Sequence, residues 1–568
     1  MTSLDFVSVI DPRVDINNLR NKQYGVYRGG TSNTFKKIVS NSFDNSQISW
    51  VAPPPSVNTY ISRRMMITMN FEITFTGTSA GAGIPLLQAS GLPAAPGVNP
   101  GTAQYDAPRC MPLSEAFKTL AISMNNDNIS TNLSSYSRIL QRFNRDHDEE
   151  DKEYSMTPSM SDKSQSYDDL FGFPLNPLGS YGDNTAQCPR GGFSGALITR
   201  NDSTGNPGDV AVVTLTVTEP AWLSPWAFGR NQEDVSFIQV QNINVQATLG
   251  GRGNGVLTGL ASSIWSHAPG GSVLTSAVAQ VQGGSLLFNY ITPDPLQQLP
   301  QVVDYSYFEP TLYPTSAGGI AVPPGGNTTL EMNAVQLGAT PNRMYIWVSQ
   351  RDVDVNITST NTYFRIDNLN ITYNNQDGIL SNMSPQDLYM MYLRNGGNMS
   401  YVQYTKYVGS VLCVTFGPDI NLDSENAPGK RISQNLNLKV TCNNISANTI
   451  VPTLNVLIIQ EGVMTIAGQS VSRSIGVLNG QDILQSKMQV PISFRGSKNF
   501  WGSGFWDDVG SFFKKIVRPA INVAKSVVPM QYQPIVQGVS DVATSYGLGL
   551  GRLRGGAMIN KEECKLLM

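Results

Sequence analysis

The chain has 568 residues, more than one hydrophobic core usually organises, so we expect at least two domains. Hydrophobic residues make up 40% of it, which excludes a globally disordered protein, and only 14% of the residues are charged. The net charge of −3 at pH 7 gives no general attraction to nucleic acid.

The N-terminal arm, residues 1–34, precedes the first clear strand pattern. It lacks the basic and apolar regions of a signal peptide, so we expect no secretory leader. The whole sequence also lacks an uninterrupted apolar run of about 18 residues, so we expect no membrane-spanning helix.

Alternation of apolar and polar residues dominates the chain after this arm. In the stretch ITMNFEITFT, residues 67–76, every second residue from Ile67 to Phe75 is apolar and the residues between them are mostly polar. The stretches 214–218, 364–373 and 436–442 also have strand character. Strands of this kind bury one face and expose the other, which indicates antiparallel sandwiches.

A glycine-rich stretch, residues 251–270, divides the strand pattern into two blocks, 35–250 and 271–495. We interpret it as a linker because it has many glycines and little pattern. Each block is a little longer than about 200 residues, the size of one elaborated sandwich. The acidic run 146–153 interrupts the first block, and a solvated surface loop is the favoured interpretation over a cation site or a basic-partner site.

Residues that carry enzyme or metal chemistry are scarce. The chain has two histidines, His147 and His267, and neither lies in an HxH or HExxH motif. The five cysteines are scattered, which indicates buried free thiols rather than a metal site or a disulfide framework. We therefore expect no catalytic residue, no cofactor and no metal, and a protein that is not an enzyme.

Six segments, taken in order, carry a resemblance to a known family. They are residues 48–78, 117–130, 176–193, 218–229, 378–397 and 409–430. The fourth contains the sequence EPAWLSP and the last a GxxLxxxFGxDI sequence. In this order they resemble the double jelly-roll major capsid proteins of polinton-like viruses, adintoviruses and virophages, the lineage that includes adenovirus hexon.

The resemblance covers roughly residues 30–495 and implies an all-β fold of two consecutive eight-stranded antiparallel jelly rolls. It also implies a homotrimer, a pseudo-hexameric capsomer that tiles the icosahedral shell of a double-stranded DNA virus. The implied partners are the chain itself, neighbouring capsomers, and penton and minor capsid proteins. The implied location is the virion, assembled inside the host cell.

The alternative is a secreted or surface β-sandwich adhesin or glycan-binding protein. Such a protein needs an export route and a row of exposed aromatic side chains. Trp50, Trp222, Trp226 and Trp347 lie in or beside apolar strand segments, so we expect them in the core.

The tail, residues 496–568, is basic, with nine Lys or Arg against five Asp or Glu, and an amphipathic helix is predicted over 504–518. The candidate membrane- or partner-binding residues are Phe505, Val509, Phe512, Phe513, Ile516, Lys514 and Lys515. Three roles stay open: docking on the inner surface of the same protein, binding another virion component, or lying in a membrane interface. Weak electrostatic contact with the genome is a further expectation.

The tail also contains a candidate protease site. Leu553, Gly555 and Gly556, followed by Ala557, resemble the sites cut by adenovirus-type cysteine proteases, so a viral maturation protease is an expected partner. A weaker candidate lies at Gly502, Ser503 and Gly504, where the preceding Phe500 departs from the pattern. A third match at 249–253 is interpreted as a false positive. A flexible glycine-rich end, or a weak nucleic-acid contact, is the alternative for the first site.

Overall fold

The architecture was analysed in a computed structural model. It describes residues 31–56, 59–79, 83–84, 107–108, 112–141, 143, 196–221, 223–224, 236–251, 256–266, 274–293, 302–316, 318–351, 363–397, 399–423, 425–446, 448–468 and 470–479. The tail and most of the predicted arm lie outside these residues. Within this part of the chain, no helix has the length and apolarity needed to cross a membrane.

A first pair of sheets is built from β1 to β12. The strands are β1 (Thr31–Val39), β2 (Ser42–Phe43), β3 (Gln47–Ala52), β4 (Tyr60–Thr78), β5 (Ala107–Pro108), β6 (Phe117–Met124), β7 (Asp127–Thr131), β8 (Ala196–Asn201), β9 (Pro207–Pro220), β10 (Ile243–Leu249), β11 (Trp265–Ser266) and β12 (Leu274–Pro293). One sheet has the order β1-β12-β4-β9-β8 and the other β2-β3-β10-β6-β7, while β5 pairs with β11. The short helices α1 (Pro112–Ala116), α2 (Ser137–Gln141) and α3 (Ala261–Ile264), and a 3-10 turn at Leu133–Ser135, lie between strands.

A second pair of sheets follows. Its strands are β13 (Val302–Ser316), β14 (Asn327–Ala339), β15 (Arg343–Gln350), β16 (Arg365–Tyr373), β17 (Gln376–Ile379), β18 (Val411–Thr415), β19 (Arg431–Asn443), β20 (Pro452–Ala467) and β21 (Ser470–Ile475). The orders are β13-β20-β15-β18, with β21 also paired to β20, and β14-β19-β16-β17. Helix α4 (Pro385–Arg394) and a π-helical turn at Gln403–Tyr407 precede β18.

The two pairs of sheets repeat one strand order. In the first, the eight strands that matter are β1, β3, β4, β6, β7, β9, β10 and β12; in the second they are β13 to β20. Numbered first to eighth in each set, they form one sheet in the order first-eighth-third-sixth and another in the order second-seventh-fourth-fifth. All the strand pairs are antiparallel, and eight strands in two such sheets make a jelly roll. The predicted mostly-β, antiparallel fold is confirmed.

The pairing passes from the first jelly roll to the second between residues 293 and 302. Strand β12 follows the predicted linker at 251–270, yet it lies between β1 and β4 in the first jelly roll. The boundary predicted from glycine content therefore differs from the strand pairing. Gly251 serves close packing here, because a Cβ atom on it would lie 1.5 Å from the carbonyl oxygen of Gly259. Strand β1 also begins inside the predicted arm 1–34.

The inward faces of the strands form the core of each jelly roll. The alternating apolar residues predicted in β4 are all buried: Ile67, Met69, Phe71, Ile73 and Phe75. Trp50 and Trp347 are buried as predicted, and Cys413 and Cys442 are buried free thiols. Trp222, Trp226 and the other three cysteines lie outside the described residues. Each fully buried large apolar side chain contributes about 1.5–3 kcal/mol to folding.

Candidate functional site

The two segments of the second jelly roll that carry the family resemblance meet at one carboxylate. The fully buried side chain of Asp419 accepts hydrogen bonds from the Thr415 backbone N–H at 2.7 Å and the Thr415 hydroxyl at 2.6 Å. It also accepts from Asn395 Nδ2 at 2.8 Å and contacts Arg394 at the end of α4. The FGxDI sequence thus joins α4 to the end of β18, so its aspartate has a structural role.

A second buried carboxylate has the same task in the first jelly roll. Glu219, in the EP sequence at the end of β9, accepts hydrogen bonds from the backbone N–H groups of Leu113 and Ser114 at 2.9 Å and from the Ser114 hydroxyl at 2.8 Å. Burial raises the pKa of Glu219 to about 7, and the charge of Glu115 adds to the rise while the donors oppose it. These contacts fasten α1 to β9.

The two jelly rolls contact each other at a junction built from polar and apolar side chains. The turn after β6 reaches the second jelly roll, where the Asn126 side-chain oxygen accepts from the Val471 N–H at 3.1 Å. Asp127 forms an ion pair with Arg473 at 2.5 Å, and Arg473 also donates to the Tyr307 hydroxyl at 2.9 Å. The ion pair is partly shielded from water, which strengthens it relative to an exposed pair.

Apolar packing completes the junction. Tyr305, on β13, is buried in the core of the first jelly roll, with its ring 5.2 Å from that of Phe237. Its hydroxyl accepts from the Ile238 N–H and donates to the Ser236 carbonyl, both at 3.0 Å.

In the opposite direction, Phe143 of the first jelly roll enters the core of the second. Its ring lies 5.1 Å from Tyr345 and 5.5 Å from Tyr392, with the T-shaped or tilted geometry that aromatic pairs prefer. Each jelly roll therefore completes the core of the other, and together they present one continuous subunit.

Large apolar side chains are also exposed on both jelly rolls. In the first they are Phe35, Val39, Phe43, Val51, Leu197, Ile198, Val278 and Leu287; in the second they are Ile320, Met390, Tyr401 and Val402. Exposed apolar patches on a folded chain mark surfaces that bind other molecules.

The outward face of β4 and β9 carries mostly uncharged polar side chains. Thr68 contacts Thr218 at 2.9 Å, and Thr216 donates to Asn70 at 3.0 Å across β4 and β9. Uncharged side chains lose less hydration energy than ions when subunits pack together. This surface suits repeated protein–protein contact.

The predicted site residues of the tail, at 502–504, 505–516 and 553–557, lie outside the described residues, so their arrangement stays a prediction.

The sequence analysis did not identify the junction residues Asp127 and Arg473. The available signal was a repeated Asn-Asn turn, at 125–126 and 374–375, which opens corresponding hairpins in the two halves. Among the described residues, no group of three or more His, Cys, Asp or Glu side chains is placed to hold a metal ion.

Comparisons with known proteins agree with this architecture. Residues 3–291 match the family model of the Sputnik virophage major capsid protein first domain, and residues 311–462 match that of the major capsid protein V20 C-terminal domain. The chain is 27% identical to capsid protein V20 of Sputnik virophage over 608 aligned positions, covering 99% of this chain and 97% of the relative.

Two solved structures are also similar. A chain of the Sputnik virophage cryo-EM structure has a TM-score of 0.70 and 26% identity, with coverage of 87% of this chain and 97% of that chain. The mavirus major capsid protein has a TM-score of 0.64 and 14% identity, with coverage of 87% and 99%, and supports the fold alone. By these matches, the chain belongs to the Sputnik-type family of virophage major capsid proteins, structural rather than enzymatic components of the virion.

Proposed function

We propose that three copies of this chain form a pseudo-hexameric capsomer, and that these capsomers tile an icosahedral shell around a double-stranded DNA genome. The observation that carries the proposal is the repeated strand order of the two jelly rolls, joined by a packed junction. Each chain supplies two similar jelly rolls, which the junction holds against each other. Three chains can therefore supply six such units around one axis. We divide the chain at 293–302, in place of the predicted linker at 251–270.

The native mass of the recombinant full chain tests this assembly. We expect sedimentation equilibrium to give three times the chain mass, with no concentration-dependent series of larger rings. A chain that stays monomeric at every accessible concentration would contradict the trimer. The adhesin alternative predicts such a monomer, and membership of a capsid protein family already argues against it.

We also propose that an adenovirus-type maturation protease cuts the tail after Gly556 and removes residues 557–568. The Leu-x-Gly-Gly sequence supports this site because a narrow protease channel admits only small residues next to the cut. We expect no cut at the match at 249–253, because Leu249 is buried in β10 and Gly251 packs against Gly259, which keeps the segment out of a protease channel. The weaker site at Gly502 and Ser503 would separate the tail from the jelly rolls.

Incubation of the full chain with such a protease tests the site. We expect mass spectrometry to show loss of the last 12 residues, AMINKEECKLLM, and no cut at 249–253. Gly556→Val is expected to abolish this cut, whereas Gly549→Val, outside the motif, leaves it unchanged. Uncut wild-type chain, under conditions in which the protease cuts a standard substrate, would refute the processing proposal and leave the capsomer proposal intact.

We propose that helix 504–518 docks on the inner surface of the shell, with a minor virion component or a membrane interface as the other candidate partners. The adjacent pairs Phe512-Phe513 and Lys514-Lys515 supply aromatic and basic side chains that are compatible with each of these partners. Penton and minor capsid proteins, neighbouring capsomers and weak genome contact complete the proposed partners.

A further inference from the structure

The outward face of the first strand is buried in one jelly roll and exposed in the other. On β13 of the second jelly roll, Tyr305 and Tyr307 are both 3% exposed because the first jelly roll covers them. On β1, which occupies the corresponding position in the first jelly roll, Phe35 is 69% exposed and Val39 is 68% exposed. Among the described residues, this outward face is therefore covered in the second jelly roll and uncovered in the first.

The two faces correspond in strand geometry. Phe308, the residue after Tyr307, lies in the core of the second jelly roll. Because side chains alternate along a strand, Tyr305 and Tyr307 point away from their own sandwich. On β1, Ile38 packs against the core of the first jelly roll, so Phe35 and Val39 point away from theirs.

The neighbouring eighth strand adds an apolar side chain to each face. Met464 of β20 pairs with Tyr305 and is buried in the junction. Leu287 of β12 pairs with Lys37 of β1 and is 37% exposed. The exposed set Phe35, Val39 and Leu287 is called here the β1 patch.

The elements that cover β13 also have counterparts. The turn between the fourth and fifth strands, Asn125-Asn126, contacts β21, whose Arg473 donates to Tyr307 of β13. The corresponding turn, Asn374-Asn375, also leaves two residues between the paired strand ends. Asn125 has a φ of 54° and Asn374 a φ of 51°, so the two turns begin with the same left-handed backbone conformation. In the second jelly roll, Asn375 and the next residue, Gln376, are exposed.

The segment between the fifth and sixth strands gives a second correspondence. In the first jelly roll this segment contains Phe143, which is buried in the other jelly roll. In the second it contains α4 and the π-helical turn, where Met390 is 62% exposed and Tyr401 and Val402 are partly exposed. We call Met390, Tyr401 and Val402 the α4 patch.

We infer that the α4 patch and the turn at 374–376 of one chain cover the β1 patch of a second copy of the chain. The inference rests on the proposed trimer and names its contact surfaces. The contact joins two different surfaces, so it is heterologous and closes a ring when three copies repeat it. The junction inside each chain and the contact between chains then alternate around the capsomer.

The charges beside the two surfaces also support a second copy of the chain as the binding partner. Lys37 is exposed on β1 between Phe35 and Val39, on the face of the β1 patch. Asp423 and Glu425 are exposed in the segment between the sixth and seventh strands of the second jelly roll. The corresponding segment of the first jelly roll, at 236–239, contacts β13 through Tyr305. Opposite charges thus fall on surfaces that the repeat brings together.

Substitution of one side chain in each patch tests the inference in the full chain. We expect Phe35→Glu and Met390→Glu each to raise the dissociation constant of every inter-chain contact by on the order of 30-fold or more, as for a central interface residue. Leu197→Glu is the matched control for the first jelly roll, because Leu197 is 63% exposed on the far edge strand β8. Ile320→Glu, at a site 66% exposed, is the control for the second.

The readout is sedimentation velocity over a range of concentrations, with thermal melting to verify folding. Monomeric Phe35→Glu and Met390→Glu with trimeric controls would support the inference. Trimers of wild-type stability for either patch variant would overturn it and leave the proposed capsomer standing. If Phe35→Glu fails to fold, the result for Met390→Glu decides alone. A monomeric wild-type chain would overturn the proposed function and this inference together.

Discussion

Replacement of Asp419 with alanine is expected to lower the free energy of unfolding by about 3 to 5 kcal/mol. The buried carboxylate accepts hydrogen bonds from the Thr415 N–H, the Thr415 hydroxyl and Asn395. Alanine has no acceptor to replace it, so these donors lose those hydrogen bonds. Arg394 adds little to this figure, because its side chain is 57% exposed and water screens the pair. The loss is expected in the second jelly roll, where α4 separates from β18.

Hydrogen exchange measured peptide by peptide checks this prediction. Exchange in β18 and β19 should accelerate by several orders of magnitude in Asp419→Ala, while β9 and β10 change less. Glu331→Ala is the matched control: this acid is exposed on β14 of the same jelly roll, and its loss should change stability by less than about 0.5 kcal/mol. Equal exchange in the two variants would show that Asp419 does not hold α4.

Strand character was predictable because alternation is local. From Ile67 to Phe75, the polarity of each residue predicts which face of the sheet it lies on, and the apolar residues are buried as expected. The order of the strands within the sheets was not predictable in the same way. It depends on contacts such as β1 with β12, which join residues more than 240 positions apart. The family resemblance supplied that part of the prediction.

Glycine explains the misplaced boundary. Composition alone cannot distinguish a glycine in a flexible linker from one that permits close packing. Gly251 is of the second kind, and so is Gly409, where φ is +91° and a Cβ atom would lie 2.0 Å from the Tyr363 carbonyl oxygen. Gly409 opens the GxxLxxxFGxDI sequence, and the same sequence ends on Asp419 and Ile420. The motif therefore records a folding requirement of the second jelly roll.

The surfaces that matter for assembly were the least visible in the sequence. Phe35 and Val39 look like ordinary strand residues, and only the structure shows that none of the described residues covers their face. The junction gives the reason that such a face exists. The first jelly roll covers one face of the second, so the equivalent face of the first is not covered by the second. In a closed ring of copies, the second jelly roll of a neighbouring copy can cover that face.

Buried glutamates should make the subunit less stable as the pH rises. Burial raises the pKa of Glu461, on β20, to about 7, although the charge of Arg343 opposes the rise. Burial likewise raises the pKa of Glu219 to about 7. Because both values lie above the ordinary value of 4.5, the unfolded chain releases these protons first. Their contribution to stability is complete below about pH 4.5 and is lost as the pH rises to about 7.

The expected loss is about 3 kcal/mol for each glutamate across this interval, since one pKa unit corresponds to about 1.4 kcal/mol. Urea unfolding between pH 4.5 and pH 8 measures it. Glu461→Gln keeps the shape of the side chain but cannot ionise, so its stability should match the wild type near pH 4.5 and exceed it at pH 8. Adding Glu219→Gln should flatten the pH profile further. If the wild type gains stability between pH 4.5 and pH 7, and Glu461→Gln reduces that gain, then Glu461 is charged in the folded protein and its attraction to Arg343 outweighs its burial.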